Sequence, residues 1–522
     1  MSRKMKIYQT ISALLLTVFI VAAQSCTGDF ERINTNPDQV TPGQTEVDYY
    51  NVGSKIKVLQ GLVVDTQEHL HQFYELMVGC AFGGYAGETP DGWHNKFITG
   101  NPDLEWQKGP FKTTYKETYP AYRSLKRLTE DPVPLALADM FRVAIMHRIT
   151  DTYGPIPYTK MVEIGNDALT AAYDSQEVVY MAMLEELGNA WEILNANSNL
   201  PSDALAKYDG VYQGNVKKWM KFCASLQLRI AMRMSLVKPD IARQYAEDAI
   251  SKGVITDNAD NAYLTVAENR SALCWNDWND HRIAAEILCY MNGYNDNRRS
   301  AMFTSVGDTY VGIRRGIFTT NKEKATKLYS NMLIKSTDHY LWMNAAEITL
   351  LRAEGAWNGW AMGGDAKTLY ESGVKLSFDE YKVSGADAYL LSQATPSPYN
   401  NPENMYNAGA PSDITPKWED IDSPTTKARN YERIITQKWI ALFPNGLEAW
   451  AEYRRTGYPK LFPIIENQSG GTINDKWGAR RLNYPVDEYQ ENGVNVNDAV
   501  SKYLTGRDNM GTRLWWDTKE LK

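Results

Sequence analysis

The amino-acid sequence predicts an all-α protein built from tetratricopeptide-like helix pairs, and two observations carry that reading. Apolar residues recur three and four apart almost wherever a period is legible. Successive helical stretches are also separated by short turn signals, so that neighbours fold back on each other as stacked hairpins do. The strict repeat signature is absent, so the periodicity supports the architecture without supplying a consensus. Length alone would allow about three domains. No linker separates them, and residues 26–522 read as one helical domain.

The elements follow in order. From Gln176 to Asn195, one stripe holds Tyr180, Leu184, Leu187, Trp191 and Leu194. Between Val216 and Val237 the stripe is Trp219, Phe222, Cys223, Leu226, Ile230 and Met234, closed by Lys238-Pro239. Asp240 is then expected to cap a helix that buries Ile241, Tyr245 and Ala249. Tyr340 to Trp357 is expected to be helical through Trp342, Ala346, Thr349, Ala353 and Trp357. Ser384 to Thr426 (residues 384–426), rich in Pro, Ser, Asn and Asp, reads as a large surface insertion. The most explicit hairpin lies between Tyr431 and Pro459. Its first helix aligns Tyr431, Ile435, Trp439 and Leu442. Pro444, Asn445 and Gly446 stop it, since proline lacks an amide donor and asparagine or glycine can form a left-handed cap. The second carries Leu447, Trp450, Ala451 and Arg454 inward and ends at Gly457 and Pro459.

The N-terminus has the order of a secretory signal, with Arg3, Lys4 and Lys6 ahead of an apolar run of 13 residues, Ile11 to Ala23. That run is too short to span a bilayer, which takes about 20 residues. It ends at Ala23-Gln24-Ser25-Cys26, a loose lipobox, so residues 1–25 are expected to be removed and Cys26 lipidated. Removal takes three basic residues and no acidic one. The mature chain then carries 52 Lys+Arg against 63 Asp+Glu, a net charge of −11. Such a balance makes nucleic acid a poor partner. Beyond Cys26 only Cys80, Cys223, Cys274 and Cys289 remain, which excludes a dense disulfide framework. Cys223 falls on an apolar stripe; a single Cys274–Cys289 bridge stays open.

No catalytic constellation is legible. His69 and His71 are two apart, whereas a zinc helix needs them four apart on one face. There is no Gly-x-Ser-x-Gly elbow and no glycine loop ending in Gly-Lys-Ser/Thr. Gly83-Gly84-Tyr85-Ala86-Gly87 therefore reads as a flexible loop. Glu347 and Glu354 beside Arg352, and Glu448 and Glu452 beside Arg454 and Arg455, read as charge pairs that tie helices or stay solvated. The Asn/Asp clusters at Asn276 to Asp280 and Asn292 to Asn297 lack the spacing of a calcium loop. Neither a cofactor nor a metal is expected.

Of 15 tryptophans, Trp191, Trp219, Trp342, Trp357, Trp439 and Trp450 fall on helical stripes and belong to the core. Trp93, Trp106, Trp275, Trp278, Trp360, Trp418, Trp477, Trp515 and Trp516 lie in or near irregular segments. Flat aromatic faces stack on the C–H faces of sugars while nearby polar groups take the hydroxyls. Two stretches combine both features. Gly83 to Phe97 offers Tyr85, Trp93, His94 and Asn95; Trp275 to Arg282 offers Trp275, Asn276, Trp278, Asp280 and Arg282. Trp106, Trp515 and Trp516 read as packing residues.

Several blocks resemble the SusD/RagB family of surface nutrient-binding lipoproteins of Bacteroidetes, in particular its SusD-like branch. They are Asn34-Thr35-Asn36-Pro37, Asp151 to Tyr158 (DTYGPIPY), Leu350 to Glu354 (LLRAE), the run from Ile434 to Pro459, Arg481 to Pro485 (RLNYP) and Leu514 to Asp517 (LWWD). Asp29 and Glu31, just past Cys26, resemble the export tag of surface lipoproteins in that phylum. The resemblance implies a binding protein and not an enzyme: a helix-pair scaffold with the ligand site in long irregular loops on one side. It also implies an outer-membrane protein held by its lipid and facing outward, which passes an oligosaccharide to a SusC-type TonB-dependent transporter. A peptide or other nutrient as ligand, and a surface glycosidase, are the rival readings.

Overall fold

This computed structural model describes residues 49–162, 170–199, 203–319 and 321–519. The expected signal segment, Cys26 and Asn34–Pro37 lie outside the described residues. Val52–Lys522 form one compact unit.

Helices dominate. Near the start of the described chain come α1 (Tyr50–Val63) and α2 (Glu68–His71), and α2 continues as a π-helical stretch over Gln72–Cys80. Next, α3 (Leu104–Lys108) runs through a second π-helical turn, Gly109–Thr113, into α4 (Thr114–Leu128). The scaffold proper consists of four helical hairpins: α5 (Pro132–Tyr153) with α6 (Gln176–Ala196), α7 (Val216–Arg233) with α8 (Pro239–Lys252), α10 (Ala345–Trp357) with α11 (Ala366–Glu380), and α12 (Pro424–Leu442) with α13 (Gly446–Thr456). A further helix, α9 (Ala285–Gly293), lies between the second and third hairpins in sequence. Hairpins stack through α6 on α7, α7 on α10 and α10 on α12. The all-α, tetratricopeptide-like reading is thus what the chain adopts.

Sheet is confined to two small antiparallel pairs among the described residues, β1 (Ala86–Glu88) with β3 (His281–Ile283) and β2 (Ala262–Leu264) with β4 (Tyr340–Met343).

Several local expectations are corrected. Trp342 lies in β4, and α10 begins only after Asn344, whose side chain accepts from the Glu347 amide. Lys238, not Asp240, is the residue before α8, with Pro239 in the first turn; the buried stripe is Ala242, Ala246 and Ala249, while Ile241 and Tyr245 are half-buried. Alanines there let α8 approach α7 closely. Residues 384–426 are mostly exposed and irregular, and the segment is pinned to the body at a few points. Tyr389, Tyr399 and Ile414 are buried, the Tyr399 hydroxyl donates to the Gly312 carbonyl at 2.8 Å, and α12 already begins at Pro424. All four described cysteines are free, so Cys274 and Cys289 are not bridged.

At the turn between α12 and α13 the expected left-handed cap is absent. Phe443 is extended, and Gly446 opens α13. The left-handed residue is Gly457, at φ 75°, which ends α13 as its sequence position predicts. Gly446 is required for another reason: a Cβ there would sit 2.2 Å from the Cys80 amide nitrogen, and one on Gly79 would sit 2.4 Å from the Leu447 nitrogen. Backbone therefore lies on backbone, as only glycine allows. Glu75, on the same π-helical stretch as Gly79, accepts from the Gly446 and Leu447 amides at 2.5 and 3.1 Å. Its charge meets the positive end of α13.

Every residue of α13 is buried, so it has no single inner side. Its charges are met by partners within the protein, most of them on other elements. Arg233 of α7 donates to Asp151 at 3.1 Å, to Glu448 at 2.5 Å and to Glu452. Arg455 reaches both Glu354 oxygens at 2.6 and 2.8 Å and both Glu452 oxygens at 3.1 and 2.6 Å. Lys438 bonds the same two carboxylates. Glu347 takes Arg229 through two bonds at 2.6 and 2.7 Å, while Arg352 instead donates to the Met362 carbonyl. Arg454 lies 3.6 Å over the Trp450 ring and donates to the Asp151 and Arg480 carbonyls. Burial pushes it down to about 9. Burial acts to raise Glu452, but Arg455, Lys438 and Arg233 outweigh it and hold that carboxyl well below its usual range.

Candidate functional site

Pairing of β1 with β3 brings together the two aromatic stretches, almost two hundred residues apart in sequence. Ala86 faces Ile283, Gly87 faces Arg282 and Glu88 faces His281. Beyond the pair, Thr89 donates its amide to the Asp280 carbonyl at 2.9 Å and its hydroxyl to the Asn279 carbonyl at 2.5 Å. The loops that continue from these strands, 89–97 and 273–280, therefore leave the body side by side.

Five rings form a shelf across them. Trp278 stacks on His69 with centroids 5.0 Å apart and planes 19° apart; His69 stacks on Phe73 at 6.3 Å; Phe73 stacks on Trp106 at 5.7 Å and 20°; Trp106 meets Trp93 edge-on at 5.2 Å. His69 is exposed and the other four residues are half-buried, so the row is open to solvent along its length. His69 and Phe73 are four residues apart across the junction of α2 with its π-helical continuation, and Trp106 rides on α3. All three π-helical stretches among the described residues adjoin this shelf: Gln72–Cys80 carries Phe73, Gly109–Thr113 follows Trp106, and Leu273–Asp277 ends at Trp278. Such turns shift the helical phase and recur at functional sites.

Polar groups secure the shelf from beneath. Gln72 donates to Asp280 at 2.9 Å, and Lys322 bridges to the other Asp280 oxygen at 2.5 Å. His281 is buried under Trp93, with ring centroids 6.2 Å apart, and burial pushes it down to about 3, so the ring is neutral there. Burial also raises Glu88 and lowers Lys96 in the same strand-and-loop segment.

The predicted residues divide into three groups. Trp93 and Trp278 are in the shelf. Asn95 stands at its end, accepting from Asn101 at 3.2 Å, and His94 is exposed beside Phe318 at 5.6 Å. Asn276 is exposed, donating to the Ile334 carbonyl and accepting from Asn331. The rest turn inward. Tyr85 is a correction: it is fully buried, its hydroxyl donates to the Trp439 carbonyl, and the glycine-rich segment around it is a helical turn and a strand, not a flexible loop. Arg282 is another: only 4% exposed, it donates to the His281 carbonyl at 2.7 Å and to Asn279 at 2.8 Å, tying its own loop. Trp275 is buried and lines a cavity of about 390 Å³ with His71, Asn269, Tyr340 and Asn445. Asp280 acts through Gln72 and Lys322. Sequence reasoning missed His69, Phe73 and Trp106. The first two were legible as ring-bearing residues one helical turn apart, and Trp106 only through its neighbours in space.

Among the described residues, one His/carboxylate group has ligand atoms within 4.8 Å of one another: His147, Asp151 and Glu448. It lies deep in the scaffold, where Arg233 already holds both carboxylates. No helix among the described residues is long and apolar enough to cross a membrane.

Comparison with known proteins bears on this arrangement. A family model described as "SusD-like: Susd and RagB outer membrane lipoprotein" matches residues 32–517. A SusD homologue of Bacteroides thetaiotaomicron is 48% identical, with a TM-score of 0.87 over 90% of this chain and 100% of its own. One from Bacteroides uniformis is 42% identical, with a TM-score of 0.85 over 90% and 100%. A chitin-binding SusD homologue from Flavobacterium johnsoniae is 34% identical, with a TM-score of 0.84 over 90% and 99%. No curated protein matches the chain. The matched family consists of outer-membrane lipoproteins that bind ligands and are not enzymes.

Proposed function

Since the chain belongs to the SusD/RagB family, we propose that it captures an oligosaccharide at the cell surface on the shelf formed by Trp278, His69, Phe73, Trp106 and Trp93. The protein is anchored through a lipid on Cys26, faces outward, and delivers its ligand to a SusC-type TonB-dependent transporter.

One observation carries the reading: five partly exposed rings from four separate segments converge in a row, where ordinary packing would bury them. Rings at successive intervals of 5.0 to 6.3 Å make a continuous apolar strip against which the C–H faces of a chain of pyranose units can lie. Exposed amides at Asn95 and Asn276 stand near both ends to meet hydroxyls. Binding of a glycan by the Flavobacterium johnsoniae relative supports a carbohydrate over a peptide.

Calorimetric titration of the mature protein with oligosaccharide ladders provides the test. Replacing Trp278, Trp106 and Trp93 by alanine is expected to abolish measurable binding while leaving the folded state intact. Unchanged glycan affinity in the triple variant would overturn the assignment, and peptide binding in place of glycan binding would favour the rival reading.

A further inference from the structure

Beside the shelf lies a recess of about 300 Å³ that none of the predicted site residues lines. We infer that this recess takes one further unit of a neutral oligosaccharide whose preceding units lie on the aromatic shelf. The inference rests on the proposed reading of the shelf and adds the chemical class of its ligand.

Continuity is the first support. Trp106 and Gln107 are consecutive on α3, the former in the shelf and the latter in the wall of the recess. Asn95, at the shelf's end, accepts from Asn101, another wall residue, and Asn101 donates in turn to Gln468 at 2.6 Å. A chain leaving Trp106 therefore reaches the recess across a line of amides.

Chemistry is the second. None of the eight lining residues is charged, and Asn101, Gln107, Asn483, Asn509 and Thr472 provide its polar surface. Several of their groups have no partner within the protein. The Asn483 carbonyl oxygen is buried and unbonded. Gln107 uses its amide nitrogen on the Pro102 carbonyl and keeps its oxygen free, while Asn509 uses only its oxygen, on the Gly511 amide and the Thr512 hydroxyl. Free acceptors and donors side by side match vicinal hydroxyls, each of which both gives and takes a hydrogen bond.

An anionic sugar fits poorly. A carboxylate entering an uncharged recess loses hydration without gaining a cation. The cations beside the shelf are already engaged, Arg270 with Glu68 and Lys322 with Asp280. The volume lies at the low end of the ~300–1,000 Å³ typical of small-ligand sites, which suits a single sugar unit.

Titration of the mature protein with neutral ladders from disaccharide to octasaccharide (xylose, glucose and N-acetylglucosamine series) and with oligogalacturonides tests this. In the wild type, affinity should rise with length and then plateau, with neutral ladders preferred. The Gln107→Ala/Asn483→Ala variant should bind the longest chains roughly tenfold more weakly, the equivalent of about two hydrogen bonds, with short chains unaffected. Gln107→Ala alone, which gives up only the bond to the Pro102 carbonyl, should show the same selective loss to a smaller degree without disturbing the fold. Equal loss for short and long chains, no loss at all, or preference for oligogalacturonides would overturn the inference and leave the shelf standing. If no glycan binds, or if Trp106→Ala and Trp278→Ala change nothing, the shelf reading fails and this one with it.

Discussion

The interior around α13 and the shelf from Trp278 to Trp93 invert each other's chemistry. In the interior, six cations (Arg229, Arg233, Lys438, Arg454, Arg455, Arg480) and six carboxylates (Asp151, Glu347, Glu354, Glu448, Glu452, Asp517) are all buried. At the shelf, five aromatic rings that could have filled a core reach solvent. A buried charge set is costly in desolvation and strongly intolerant of losing one member, because the partner is then stranded. What it provides is register: Arg229, Arg233 and Arg455 each donate to carboxylates placed at their own forks, so four helices are locked in one relative arrangement. The shelf follows the opposite rule. Its rings are arranged by the loops and helical turns that carry them, and the parts that reach solvent are left without a partner from the described chain.

That contrast can be broken from either side. Arg233→Ala takes the cation from Asp151 and Glu448, leaving Glu452 to Arg455 and Lys438, and denaturant unfolding should show a loss of roughly 3–5 kcal/mol. If Arg233→Ala leaves the midpoint unchanged, the charge set is not what holds the hairpins. Arg455→Lys keeps the charge but loses the fork, so a smaller loss is expected, with glycan affinity of the folded protein unchanged.

Acid acts on the same region. Burial pushes His147 down to about 4 in the folded state, against about 6.5 in an unfolded chain. Between those values the unfolded state holds more protons, so stability present above pH 6.5 is lost as the pH falls toward 4, by about 3 kcal/mol. His147→Gln should flatten that part of the stability–pH curve, measured by denaturant midpoints across the range. A curve of unchanged slope would place the acid sensitivity elsewhere.

At the shelf the sign of the comparison reverses. Trp278→Ala alone should weaken glycan binding about tenfold, the equivalent of one stacked ring, with little change in melting temperature. A large drop in melting temperature would instead make Trp278 a scaffold residue. The smallest effect is expected at Tyr85→Phe, which removes a buried hydrogen bond to the Trp439 carbonyl. It should cost about 1 kcal/mol of stability and leave glycan affinity unchanged, in keeping with its place in the core.

Much of the scaffold was legible. The hairpin of α12 and α13, the stripe of α7 and the helix-pair architecture follow from local period and turn chemistry, which depend on residues a few positions apart. The two aromatic stretches were also visible as composition. Their side-chain directions were not: Trp275 and Trp278 are three residues apart, yet one is buried against a separate cavity and the other stacks on His69, because the π-helical turn at Leu273–Asp277 breaks the phase that an α-helix would give. Nor could hydropathy reveal that Glu448, Glu452 and Arg455 are interior, since a charge can be buried only where partners from distant segments meet it.

By itself, then, the sequence determined the helices, their pairing and the family, all properties of neighbours along the chain. Only the tertiary structure decided which charges are core and which rings are surface. Those outcomes depend on desolvation, and desolvation is set by what other parts of the chain bring within a few ångströms.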